Sequence, residues 1–183
     1  LLFYRDVVGL QAHRAAEGLK KIITMLHQMR QDLKFRLPNS ANIAIPEGMV
    51  FDYFDEVRKV IELAESEIFF IDPYLDASFV SRYLAHVRKG VVVKLLTSDK
   101  RLNSLLPAVD MFVQQSGLLI FVRMTNDIHD RFILVDEAAC YQSGASFKDG
   151  AKTAPTTLTQ IFDLLPAMKE IYGTKWHGAK IER

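Results

Sequence analysis

From residue 49 onward the chain alternates short apolar runs with longer amphipathic stretches, and this alternation constrains its fold more than any other feature. Residues 52–65 read as a helix with Phe54, Val57, Ile61, Leu63 and Ala64 on one side, and 67–72 as a buried strand. The pattern continues with a helix over 77–89, a strand over 91–97, a helix over 101–115 and a strand over 118–124. Residues 131–135 and 138–142 read as two strands meeting at Asp136-Glu137, and 158–172 as a closing helix. Strands and helices in this order predict an α/β fold: a mixed, mainly parallel sheet covered by helices on both faces, with the late hairpin antiparallel.

The front of the chain is different. Leu19, Ile22, Ile23, Leu26, Met29, Leu33 and Leu37 recur at spacings of three and four, the mark of one apolar face on a helix. Residues 1–37 are therefore expected to form an amphipathic helix that docks on the domain, pairs with its copy in a homodimer, or lies against an acidic partner. The first 36 residues carry a net +4 and the remainder a net −3, so the balanced total of +1 hides a basic appendage on an acidic body. Two prolines and a glycine between Leu37 and Met49 mark a linker or a short edge strand, and 49–183 is the expected domain. The chain opens on Leu-Leu rather than methionine, so residues are expected to precede it.

A length of 183 residues suits one globular domain with such an appendage. The balanced charge excludes a uniformly basic nucleic-acid coat, and the single cysteine, Cys140, excludes an intramolecular disulfide framework and suits a reducing, cytoplasmic setting. No apolar run approaches the roughly 20 residues of a membrane-spanning helix. Cys140 reads as a small core residue, and Trp176 either stacks on a base or packs its indole on the domain, the latter being expected.

In sheets of this kind ligands gather outside the carboxyl ends of the strands. That rule points to 72–76, 97–100, 126–131 and 143–152. The densest chemistry lies in Asp127-Ile128-His129-Asp130-Arg131, where His129 and Arg131 are two apart and share a face if extended. An imidazole and a permanent cation so placed suit a phosphate group. Ser146, Lys148, Asp149 and Lys152 follow the last strand and add a hydroxyl, two ammonium groups and a carboxylate. Asp72 and Tyr74 are turn residues or pocket-edge residues. Thr97, also a pocket-edge candidate, is with Asp99 expected to cap the helix that starts near Arg101.

His129, Arg131 and Asp136 have the spacing of the H-x-K-x4-D signature of the phospholipase D superfamily, and Gly144-Ala145-Ser146 sits where the family's glycine-serine segment follows the hairpin. Residues 49–172 also resemble one half of a phospholipase D fold. The resemblance implies that His129 is the nucleophile that forms a phosphohistidine, that Arg131 clamps the phosphate and that Asp136 supports the site; by their own chemistry Lys148 is expected to neutralise charge beside Arg131, with Ser146 and Asp149 in support. The resemblance implies no metal and no cofactor. Arginine stands where the family has lysine, and Phe147 and Lys148 stand where it has asparagine. The chain is in this respect more like the divergent single-motif branch found in many bacterial proteins and in the membrane-binding domain of a eukaryotic abscission protein.

His86-Val87-Arg88 repeats only the first half of the motif, so catalysis would require a homodimer that brings two copies of His129 together. The leading expectation is action on a phosphodiester, above all nucleic acid. The alternative is a catalytically degenerate module that binds a lipid headgroup, nucleotide or nucleic-acid backbone, with peripheral membrane contact in the lipid case. A third reading makes the first helix an assembly element and the pocket vestigial. Asp127, Asp130 and Asp136 could hold a divalent ion only against the repulsion of the neighbouring cations. No nucleotide-loop, dinucleotide, zinc-protease or serine-hydrolase motif occurs.

Overall fold

The computed structural model describes residues 16–26, 29 and 42–183, and the chain divides into two units, Leu1–Ser40 and Ala41–Arg183. In the first unit residues 16–26 and 29 are helical, and Leu19, Ile22, Ile23, Leu26 and Met29 are exposed. The remainder of the expected helix, including Leu33 and Leu37, lies outside the described residues.

The second unit is built on one eight-stranded sheet. Its strands are β1 (Asn42–Ile45), β2 (Glu67–Ile71), β3 (Val92–Thr97), β4 (Ile120–Met124), β5 (Phe132–Val135), β6 (Ala139–Ser143), β7 (Thr156–Ile161) and β8 (Lys180–Ile181), in the spatial order β1-β7-β6-β5-β2-β3-β4-β8. Helices α1 (Val50–Glu62), α2 (Ala77–Tyr83), α3 (Leu102–Ser116) and α4 (Leu165–Gly178) cover it. The mixed α/β architecture with both faces covered agrees with the sequence pattern, but the sheet is mostly antiparallel rather than mainly parallel. Only β2 with β3 and β3 with β4 run parallel, because only these pairs are joined by helical crossovers, through α2 and α3. β5 returns antiparallel beside β2, and tight or looped reversals lead from β5 to β6 and β7.

Coverage of both faces explains the continuous apolar run of β2. Ile68 and Phe70 join Val93, Leu95, Ile120, Val122, Ile133 and Val135 in a core closed by α1, α2 and α3. Phe69 and Ile71 point the other way, joining Leu96, Phe132, Leu134 and Cys140 under Tyr172 and Trp176 of α4. Cys140 is thus a core residue, and burial pushes its thiol up to about 11. Trp176 packs on the domain: it meets the Phe69 ring edge-on at 5.2 Å and lies 4.7 Å from the Arg123 guanidinium.

Three local expectations are corrected. Residues 156–161, Thr-Thr-Leu-Thr-Gln-Ile, form strand β7 instead of opening the closing helix, since threonines alternating with buried Leu158 fit a pleated surface. Helix α4 starts later, with Pro166 in its first turn, where a missing N–H costs nothing. The 77–89 helix ends at Tyr83 and continues only as a 3-10 turn, Leu84–His86. Ser98, not Thr97 or Asp99, caps the turn ahead of α3, its hydroxyl accepting the Lys100 N–H at 3.3 Å. Gly117 ends α3 at φ +72°, the left-handed conformation that favours glycine. Among the described residues no helix is long and apolar enough to cross a membrane.

Candidate phosphate site at the edge of the sheet

Strand register assembles the site. Ile71 of β2 pairs with Leu96 of β3 and Phe132 of β5, and Phe132 pairs with Gln142 of β6. One residue further on, Thr97, Asp72, Arg131 and Ser143 therefore form a row across four adjacent strands, each about 4.8 Å from the next. The row continues the ladder, with the Asp72 N–H donating to Leu96 O at 3.1 Å and the Ser143 N–H to Arg131 O at 2.9 Å. Alternation puts all four on the face shared with Phe70, Leu95 and Ile133, at the carboxyl ends of the parallel strands.

Asp72 is fully buried at the centre of this row. One carboxylate oxygen accepts the Tyr74 N–H at 2.8 Å, and the other accepts the Ser146 hydroxyl at 2.8 Å and the Phe147 N–H at 2.9 Å. Burial holds its carboxyl above the ordinary aspartate value, against the pull of these donors and of Arg131. Asp72 thus ties the loop after β2 to the loop after β6, and the Ser146 hydroxyl is committed to it.

The loop after β6 is fixed from behind. Tyr53 of α1 meets the Ser143 hydroxyl at 2.7 Å, and burial raises its phenol. Its ring lies against Gly150, where a Cβ would fall 2.0 Å from two ring carbons, so only glycine fits. Tyr83 donates to Phe147 O at 3.0 Å and Arg82 to Lys148 O at 2.7 Å. Lys148 is paired with Asp149, and no contact joins it to His129 or Arg131 among the described residues. Lys152 is exposed. A groove of about 550 Å³ lies along Phe51, Phe54, Arg82, His86 and Phe147, and none of the predicted site residues lines it.

His129 is exposed on the loop that leads into β5. Ile128 anchors that loop in the core, 3% exposed, and α4 holds it at two further points. Lys175 bonds the Asp127 carboxylate and, at 2.6 Å, the Asp127 carbonyl, and Tyr172 donates to the Asp130 carboxylate at 3.2 Å. The Lys175 ammonium keeps the Asp127 carboxyl below the usual range. Asn126 and Asp99 share two hydrogen bonds at 3.2 Å, joining the loops after β4 and β3.

Arg131 is half-buried, and its Nε is buried with no hydrogen-bond partner. Its guanidinium makes no ion pair among the described residues and lies 5.7 Å from the centre of the Tyr74 ring. The Thr97 hydroxyl in the same row is also buried without a partner. Lys100, which sequence reasoning did not single out, touches the Tyr74 hydroxyl at 3.0 Å and lowers that phenol. Its only signal was its place just after the end of β3.

Asp136, expected to support the site, has no contact with His129 or Arg131 among the described residues. It lies at the far end of β5, about 16 Å along the strand from Arg131. With Glu137 it makes the β5–β6 turn, at φ +50° and +54°. Its carboxylate accepts the Glu65, Ser66 and Glu67 N–H groups at 2.8–2.9 Å and the Ser66 hydroxyl at 2.8 Å. Burial opposes the charge, but the Glu67, Glu65 and Ser66 donors outweigh it and draw the carboxyl down to about 2. Among the described residues no group of three or more His, Cys, Asp or Glu side chains is placed to hold a metal.

No protein-family model and no curated protein matches the chain. Solved structures do. TrmBL2, an archaeal chromatin protein whose structure shows a novel mode of DNA binding, is 14% identical with a TM-score of 0.56, over 97% of this chain and 68% of its own. Nuc from Salmonella typhimurium, a phospholipase D family member, is 19% identical with a TM-score of 0.55, over 70% and 90%. NucT from Helicobacter pylori is 10% identical with a TM-score of 0.56, over 76% and 98%. With a mixed sheet between two helical layers and a histidine-x-arginine pair entering β5, the chain has a phospholipase D-like fold.

Proposed function

We propose that the chain binds a phosphodiester of nucleic acid at the sheet edge formed by Arg131 and His129. The observation that carries this reading is the Arg131 guanidinium, whose buried Nε has no hydrogen-bond partner and which forms no ion pair among the described residues. Leaving a buried donor unpaired costs about 1–3 kcal/mol, more for a charged group, and a guanidinium in that position is suited to two charge-assisted bonds to the oxygens of one phosphate. Exposed His129 stands two residues away to contact the same group. The loops 72–76, 97–100, 125–131 and 143–152 carry no exposed large apolar side chain, which favours a polymer backbone over a lipid surface. The DNA binding shown for TrmBL2 points the same way.

A second reading, catalysis, is favoured by the exposed His129 ring, which makes no hydrogen bond among the described residues. In a homodimer joined through the exposed stripe Leu19, Ile22, Leu26 and Met29, one His129 nitrogen attacks phosphorus as the bond to the leaving oxygen breaks. The second copy's imidazole protonates that oxygen. Water then displaces the histidine, giving up its proton to the same imidazole. Arg131 holds the non-bridging oxygens, and Lys148 joins it only by leaving Asp149. A cytoplasmic setting suits the single buried thiol.

Anisotropy of a labelled single-stranded oligonucleotide, with a cleavage gel run in chelator, tests both. Binding that survives His129→Asn and collapses in Arg131→Glu, with no product released, supports the binding module. Product that disappears in His129→Asn, from a protein of dimeric mass, supports the enzyme. Parental binding by Arg131→Glu refutes the site.

A further inference from the structure

Tyr74 stands between two cations. Lys100 Nζ is 4.5 Å and the Arg131 guanidinium carbon 5.7 Å from the centre of its ring, so the two charges are no more than about 10 Å apart. Neither has a carboxylate partner among the described residues, although Asp72 lies in the same row of the sheet as Arg131. Lys100 is exposed, but it is not an unconstrained surface lysine. Its ammonium bonds the Tyr74 hydroxyl at 3.0 Å, and the Ser98 hydroxyl donates to Pro73 O at 2.5 Å while accepting the Lys100 N–H at 3.3 Å. Ser98 therefore ties together the two loops that carry Tyr74 and Lys100. The Tyr74 N–H is in turn fixed by buried Asp72.

Two like charges gathered on one ring repel each other, and neither forms an ion pair among the described residues that would offset this. A chain of phosphates relieves both charges at once. We propose that Lys100, steadied by Tyr74, is a second phosphate subsite beside Arg131, so that the ligand is a nucleic-acid strand engaged through at least two phosphates. The inference rests on the reading that Arg131 takes a phosphate. A phospholipid whose headgroup carries no phosphate beyond its one phosphodiester would use Arg131 and leave Lys100 idle.

The test compares two probes, a labelled twelve-nucleotide oligothymidylate and the dinucleotide thymidylyl-thymidine, which has a single phosphate. Binding of the twelve-mer is followed against salt for the parent, Lys100→Gln and Lys89→Gln, the last an exposed lysine beyond the opposite end of β3. Each phosphate contact on a single strand contributes about 0.7 to the slope of log affinity against log salt, so Lys100→Gln should flatten that slope by about 0.7 and Lys89→Gln should not. The dinucleotide should lose less affinity than the twelve-mer in Lys100→Gln. An unchanged slope in Lys100→Gln, with Arg131→Glu abolishing binding of both probes, overturns the second subsite and leaves the first standing. Both probes binding Arg131→Glu as they bind the parent overturns the first, and the second with it.

Discussion

Replacing Asp136 by asparagine should destabilise the protein without touching ligand binding. Asparagine tolerates the left-handed backbone of the turn, so the substitution isolates the carboxylate's charge and one acceptor oxygen. Three N–H groups and one hydroxyl converge on that carboxylate, and they draw it from 3.8 down to about 2. A fall of that size corresponds to about 2.5 kcal/mol for a shielded group. Solvent reaches this turn, which reduces the expectation to about 1–2 kcal/mol, or about 2–8 °C in Tm for a chain of this size. Because the folded value lies below the unfolded one, the contribution is fully present above 3.8 and is lost as pH falls through about 2. Urea unfolding read by Trp176, the only tryptophan and 7% exposed, measures it. The gap between parent and Asp136→Asn should hold at neutral pH and close towards pH 2. Equal stability at neutral pH, a gap that does not depend on pH, or lost oligonucleotide binding in the folded variant would each refute the placing of this carboxylate in the fold.

Three further outcomes are expected. Gly150→Ala drives a methyl group into the Tyr53 ring and should cost about 1–3 kcal/mol or more, whereas an unchanged melting temperature would contradict the contact. Arg131→Met removes a buried unpaired donor, so it should melt at or above the parent temperature while losing oligonucleotide binding; marked destabilisation would show that the guanidinium has a structural partner. Tyr172→Phe combined with Lys175→Ala frees the Asp127 and Asp130 tethers, and amide hydrogen exchange over 126–130 should quicken while that in β2 and β3 does not; uniform exchange changes would place these bonds elsewhere in the folding energetics.

The central strands were legible because burial on both faces writes itself into the sequence as an unbroken apolar run, as in Ile68 to Ile71. The direction of the outer strands was not. Alternation of helix and strand looks like parallel crossover connections, and only pairing shows that β5, β6 and β7 run antiparallel. β7 was hidden by spacing, because Leu158 and Ile161 also fit a helical face. His129 and Arg131 could be read together because a two-residue step is enough to put them on one side of a strand. Asp136 shares their motif but sits at the other end of β5, since spacing along a strand conveys membership of an element and not proximity to its end. The contacts of Asp72 with Ser146 and of Tyr53 with Ser143 span 74 and 90 residues, beyond any local pattern. Lys100 carries no signal in the sequence beyond its place after β3, because the Tyr74 hydroxyl it bonds belongs to the loop after β2, 26 residues away.

The central claim is that the Arg131 guanidinium takes a phosphate group, which the Nε–H reports. Its N–H resonance, assigned by its loss in Arg131→Ala, can be followed by NMR as thymidylyl-thymidine is added. The account predicts that this resonance and the His129 ring signals move together and saturate along one binding curve. Binding of the dinucleotide with the Arg131 resonance unmoved, or no binding at any concentration, would contradict it.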